Sequence, residues 1–423
     1  MLKIRFVAVR SRLLSVILAG LALGFPFSYA QAECAVTVAR IVPLTGPLLD
    51  YGRETPWVDK NKVDPINADG GLQMVGGKCK IVYRIYDSKS TLAGSAEAAT
   101  KAILQDHADV LMAQGTPDTT NAPSDICERY HVPCIMSDTP VEAWLYGPDG
   151  KPKAYKATFE FFFTVADLIK NHVGMIKSLP GGFNGHIGYL YPSDPDGTVF
   201  AKLFSPAFVQ QGWTATDPGR FQEGLPDFSA IINQFKRNHV EVVTGVLAPA
   251  DMQNYLQQAA QAGYKPKMYI IDKGTGFPEP MKALGKYGQD LLSVNFWSPA
   301  FPGKSSYGGY DGQKLATLYE SQNPGKQYSP ALAYTDAEYD VLFKALSQVG
   351  APSREAIIKA LASTSVDTVV GKVSFNTEHY SVQPLGGAQW RYDETTKRWV
   401  KDNVYSAVFP DVKETAKMRL YQQ

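Results

Sequence analysis

Residues 110–144 read VLMAQGTPDTTNAPSDICERYHVPCIMSDTPVEAW, and this stretch decides the fold class. Val110-Leu111-Met112 is an apolar run of the kind a buried strand requires. The run stops at Gly115, and Thr116-Pro117-Asp118-Thr119-Thr120 follows as a polar turn. Asp118 or Thr119 suits the N-cap of a helix through Ile126 and Cys127. A second short strand, Val132 to Met136, ends in Ser137-Asp138-Thr139. Two parallel strands therefore end side by side, each with small polar residues at its carboxyl end. Open α/β sheets bind ligands at that edge, and the helix N-terminus adds N–H donors there. Ordinary βα turns carry the same residue types. Two in succession, with Trp144 just beyond, read as a ligand mouth.

Outward from this stretch, strand and helix patterns alternate. Strand 35–42 leads through Pro43-Leu44-Thr45-Gly46-Pro47 to a helix ending near Ala68. Strand 80–87 precedes a helix through Leu104. This β-α-β-α order calls for a parallel sheet with right-handed crossovers. A second series follows: helix 166–178, strand 186–191, a helix to Gln211, helix 227–237, strand 240–246, helix 252–262 and strand 267–271. The chain is thus two similar α/β halves rather than one large sheet. From Val369 the pattern alternates like antiparallel strands, over 371–375, 387–392 and 398–405.

The first 32 residues read as a cleaved export signal. Lys3, Arg5, Arg10 and Arg12 precede the apolar run 13–27, and Ala30-Gln31-Ala32 supplies an A-x-A cleavage site. That run is short for a membrane span of roughly 20 residues. Glu33 before Cys34 argues against a lipoprotein. With four of the 42 basic residues gone, 38 remain against 41 acidic ones, a net charge of −3. A nucleic-acid partner is not expected from that balance. The exported chain carries four cysteines, which allow three pairings. Cys34 and Cys79 each start an apolar strand, and Cys127 and Cys134 sit on a helix end and the following strand. The expected pairs are Cys34–Cys79 and Cys127–Cys134.

Catalytic signatures are lacking. There is no GxSxG elbow and no HExxH. The Gly-Lys at 77–78 lacks the rest of a phosphate-binding loop. His131 and His239 precede apolar strands and read as surface or capping residues. No enzyme, metal or cofactor is called for.

The ordered landmarks resemble the substrate-binding proteins of ABC importers, and most closely the branched-chain amino-acid-binding type with the type I periplasmic binding fold. They are Pro43-Leu44-Thr45-Gly46-Pro47 with Tyr51-Gly52, Tyr86-Asp87, Val132-Pro133-Cys134-Ile135, Gly188-Tyr189-Leu190-Tyr191, Asp227-Phe228-Ser229, Asp336-Ala337-Glu338-Tyr339-Asp340 and Gly371-Lys372-Val373-Ser374-Phe375. The resemblance implies two doubly wound parallel-sheet lobes joined by three crossovers, placed near 161–163, 276–277 and 371–374. Lobe one is then 33–160 plus 278–372, and lobe two 161–277 plus 373–423. It further implies a periplasmic monomer in a Gram-negative type envelope, closing by hinge motion on a small solute and presenting it to a membrane permease.

Carried over from the family, the ligand contacts fall on Tyr51, Thr116 to Thr119 (with Pro117 and Asp118), Asp138, Thr139, Tyr191, the turn from Leu247 to Ala250, and Lys273. Where amino-acid binders carry an acid on the lobe-two loop, this chain reads Asp272-Lys273, so either Asp272 takes that role or Lys273 puts a positive charge in the cleft. Lys273, with Trp144, Tyr51 and Tyr191 as apolar walls, leans the expectation to an aromatic or dicarboxylic acid. A polar amino acid or amide, or a role in ligand sensing, is the alternative.

Overall fold

The computed structural model describes residues 34–147 and 150–422; the expected signal over 1–32 lies outside the described residues. Eleven strands arise in the first two-thirds of the chain. β1 (Ala35–Val42), β2 (Leu72–Met74), β3 (Gly77–Asp87), β4 (Val110–Gln114), β5 (Cys134–Ser137) and β6 (Thr158–Phe162) enter a first sheet. β7 (His186–Leu190), β8 (Thr214–Thr216), β9 (Val242–Leu247), β10 (Met268–Lys273) and β11 (Leu292–Asn295) enter a second. β12 (Ser365–Thr368) and β13 (Gly371–Ser374) form an antiparallel ribbon. β14 (Tyr380–Val382) then returns to the first sheet, and β15 (Gly386–Asp393) and β16 (Arg398–Tyr405) close the second. The strand orders are β14-β6-β5-β4-β1-β3-β2 and β16-β15-β11-β10-β9-β7-β8.

Every residue of β4, β9 and β10 is buried, as strands covered by helices on both faces must be. The covering helices start where the sequence offers caps. Thr91, Thr164 and Asp194 each accept a hydrogen bond from a first-turn N–H, at Gly94, Asp167 and Gly197. The helix of the opening stretch runs Pro117–Tyr130, with Thr116 rather than Asp118 or Thr119 at its N-cap. Pro117 at the first helical position explains the shift: its missing N–H costs nothing there and its φ is already helical. His131 takes the left-handed cap at the other end, and His239 adopts the same conformation past the helix Ser229–Arg237.

Two of the expected crossovers lie elsewhere. The first passes through Phe163 and Thr164, close to expectation. The second waits until after Asn295, because β11 pairs in parallel with β10 and belongs to the second sheet. The third follows Val382, because β14 pairs with β6 in the first. A short β11 and a three-residue β14 carry too little pattern to be assigned to a sheet from sequence. Near the first crossing, Glu142 of the first lobe accepts hydrogen bonds from the N–H groups of Val165 and Ala166, at 2.5 and 3.1 Å. It thereby caps the helix Val165–Lys177 of the second lobe.

Both expected cysteine pairs are joined. The parallel register sets Ala35 beside Lys80, so Cys34 and Cys79 face each other with Cα atoms 4.7 Å apart. Cys127–Cys134 ties the helix Pro117–Tyr130 to β5.

The cleft edge of the first sheet is set by one buried guanidinium. Arg40 on β1 pairs with Glu338 on the helix Pro330–Ser347 and, at 3.1 Å, with Asp59 on the helix Thr55–Ala68. Its second nitrogen donates to Gln114 at the end of β4, at 3.1 Å. Gln114 in turn donates to the Tyr51 carbonyl, and Glu338 accepts from Ser137 at the end of β5, at 2.8 Å. Removing one member of a buried ion pair strands its partners. Arg40→Met is expected to destabilise the protein by about 3–5 kcal/mol, measured as a lower urea midpoint. The loss is expected to be smaller near pH 5 than at pH 8. Asp59, pushed up to about 6 by burial against the pull of Arg40, takes up a proton as the pH falls, and this relieves the stranded charge.

Candidate functional site

The carboxyl ends of the two sheets meet across a narrow cleft of about 40 Å³. The first lobe supplies Tyr51 from the β1 loop, Thr116 and Pro117 after β4, Asp138 and Pro140 after β5, and Phe162 at the end of β6. The second lobe supplies Asp196 and Phe200 after β7, Val246 on β9, Asp272 and Lys273 on β10, and Val294 and Phe296 at β11. Phe163 and Leu168 come from the crossing between them. Parallel topology dictates this meeting, since every βα loop of a parallel sheet emerges at the same edge.

Phenylalanines form one wall. Phe162 meets Phe296 edge-on at 5.3 Å and lies 4.0 Å from Phe163, while Tyr51 meets Phe277 edge-on at 4.6 Å.

The polar part of the cleft is acidic. Lys273 Nζ lies 2.6 Å from Asp194 Oδ2, 3.4 Å from Asp196, 3.5 Å from Glu223 and 3.6 Å from Asp118. Burial alone would lower its pKa, but Asp196, Asp194, Asp118 and Glu223 together hold it well above the ordinary lysine range. The same burial raises Asp196 to about 7 against the opposing pull of Lys273. The carboxylate oxygens of Asp118, Asp194 and Asp196 lie within 4.8 Å of one another. That spacing would suit a metal ion, but the lysine ammonium is the cation among them.

Asp138 is different. It is 2 % exposed, and neither carboxylate oxygen has a hydrogen-bond partner among the described residues. Burial, then repulsion from Glu338 and Glu54, pushes its pKa well above the carboxylate range. Its φ of +68° is left-handed, a conformation Asp tolerates better than most residues.

Other expected contacts lie off the cleft. Trp144 is fully buried, stacked on Tyr155 at 4.4 Å with its indole N–H on Ser124; it is core of the first lobe, and the exposed Tyr146 is not in the cleft either. Tyr191 stacks on Tyr189 at 5.3 Å beneath the helix Pro195–Val209. Leu247 packs into the second-lobe core, and its neighbour Val246 faces the cleft, because a strand alternates its side chains. Thr119 donates back to the Gln114 and Thr116 carbonyls, and Thr139 pairs with Thr120 at 2.7 Å. Both hydroxyls thus serve the turns themselves. Asp272 also lines the cleft; its Oδ1 accepts from the Val294 N–H at 2.8 Å, and its Oδ2 lies 2.9 Å from His172 Nε2 without a hydrogen bond among the described residues.

The residues that sequence reading missed are Phe162, Phe163, Phe200, Phe296, Asp194, Asp196 and Glu223. In sequence the run Phe161-Phe162-Phe163 reads only as a crossover, and Asp194 and Asp196 as the loop before a helix. Only the position of the two lobes makes them neighbours.

The comparisons with known proteins agree with the fold. The sequence profile described as periplasmic binding protein matches residues 35–396. The chain belongs to the periplasmic binding protein family. This periplasmic binding protein is 22 % identical over 407 residues to a Leu/Ile/Val-binding protein homologue of Brucella abortus, covering 93 % of this chain and 96 % of the relative. In fold it is similar to a leucine-binding protein from Thermotoga maritima, with a TM-score of 0.73 at 17 % identity over 88 % of this chain and 99 % of the other. It is similar also to an ABC-transporter solute-binding protein from Rhodopseudomonas palustris solved with 3,4-dihydroxybenzoic acid, with a TM-score of 0.70 at 17 % identity over 90 % and 99 %. Among the described residues no helix is long and apolar enough to cross a membrane.

Asp138 makes the site a source of instability in its binding protein. Asp138→Asn keeps the shape and the tolerance for positive φ but removes the burial penalty of the acid. The expected outcome is a Tm several degrees higher at pH 8, read by differential scanning fluorimetry, with the gain shrinking toward pH 5. The sign follows from the raised pKa. The folded protein binds a proton on Asp138 that the unfolded chain lacks, so the wild type loses stability as the pH rises through that window.

Proposed function

We propose that this protein is the exported solute-binding component of an ABC importer, and that its solute carries a cationic, hydrogen-donating head on an apolar body, as an amino acid or an amine does. The observation that carries this reading is Asp138, a buried carboxyl on the cleft wall whose oxygens have no donor among the described residues. An arriving ammonium takes the place of the proton that burial keeps on Asp138, which leaves for water, and pairs with the carboxylate. The argument from Lys273 toward an anionic solute loses its force, because four carboxylates already surround that ammonium. The phenylalanines beside it favour an aromatic or branched apolar body.

The two lobes supply contacts from opposite sides, so a solute touching both favours closure, and closure is the signal a membrane permease can read. The relatives named for leucine, isoleucine and valine support an amino-acid-like ligand. An aromatic acid is the second reading, favoured by the phenylalanine wall.

Three probes that differ in one group separate the readings. L-phenylalanine and 2-phenylethylamine carry the ammonium; 3-phenylpropanoate has the same ring and carboxylate without it. The expected outcome is a rise in Tm with the first two and none with the third, since binding to the native state raises its stability. A shift with 3-phenylpropanoate alone overturns the cationic reading. Asp138→Asn is expected to weaken amine binding at least tenfold.

A further inference from the structure

Lys273 sits at φ +68° and ψ −80°, a backbone conformation that is strained for a non-glycine residue. That conformation directs its side chain into the group of Asp118, Asp194, Asp196 and Glu223. One ammonium faces four carboxylates: it donates to Asp194 at 2.6 Å, and the other three lie farther off at 3.4–3.6 Å. Four acids share one ammonium there, more than a single positive charge can neutralise once they are ionised. Asp118 belongs to the first lobe and the other three to the second, so a cation among them draws the lobes together. Asp138, on the same cleft, adds a buried carboxyl without a partner. A cleft holding both an under-compensated acid group and an unpaired acid is built for a further cation.

We propose that Lys273 is a tethered surrogate for the solute's cation: the Asp118–Asp194–Asp196–Glu223 group is a cation subsite, the lysine ammonium fills it, and the ammonium of an incoming solute competes for it. Competition lets the strained lysine withdraw while the interlobe cation is retained. Lys273 then tunes affinity downward and selects for solutes whose cationic group matches a primary ammonium. The competitive part rests on the amine-like reading of the solute above; the subsite itself does not.

The test is chemical rescue. Lys273→Ala removes the tethered ammonium and is expected to lower the Tm. n-Butylamine is then expected to restore roughly half or more of the loss in a saturable way, with n-butanol inert and the wild type little affected. In calorimetry, 2-phenylethylamine is expected to bind Lys273→Ala at least tenfold more tightly than wild type. Equal responses of variant and wild type to n-butylamine, or no response in either, overturn the subsite. Equal or weaker 2-phenylethylamine binding by the variant overturns the competition. Should Lys273→Ala alone fail to fold, Lys273→Ala with Glu223→Gln lowers the repulsion and keeps the other three carboxylates for the same measurements. Rescue by n-butylamine with no wild-type response to either phenyl amine supports the subsite and refutes the proposed solute class, so the two failures are distinct.

Discussion

Charge withdrawn from water has to be compensated where it is buried, and in the first lobe Arg40 meets that requirement. Its guanidinium stays ionised however deep it lies, because burial is outweighed by Glu338 and Asp59. Through Glu338 it reaches Ser137, and through Gln114 it reaches the Tyr51 carbonyl and the end of β4. The Tyr51 loop, the Thr116 turn and the Asp138 turn are thereby held in one frame. A rigid support of this kind fixes a binding wall better than the loops could by themselves.

The second lobe solves the same problem with the opposite balance. Around Arg40 the acids are matched closely enough to make a strut. Around Lys273 four carboxylates meet one ammonium that can move on a flexible stem. The difference between guanidinium and ammonium matters here: the first is a planar fork suited to permanent pairing, the second a compact charge that another ammonium can replace. The fold places the guanidinium strut behind the cleft wall and the buried ammonium in the cleft lining itself.

The cleft is also where the protein departs from good packing. Asp138 lacks a partner, Asp138 and Lys273 both have positive φ, and Asp196 is held near 7. Strain and unsatisfied polarity of this order persist only where the surrounding structure over-determines them, and they concentrate at functional sites.

Much of the architecture was legible in sequence because its signals are local. Apolar runs such as Val110-Leu111-Met112 mark strands, Thr91 marks a helix start, and parallel order places Thr116 and Asp138 at one edge. Cys34 and Cys79 could be paired because each begins a strand of the same sheet. The tertiary structure alone decided which side chains meet across the gap. Trp144 passed for a cleft residue because nothing in its neighbours tells a core face from a cleft face, and Tyr155, its stacking partner, lies eleven residues on. Lys273 passed for an anion anchor because the acids that surround it lie as far away in the chain as Asp118. A residue's charge is written in the sequence; the field it sits in is a sum over neighbours that only the folded chain brings together.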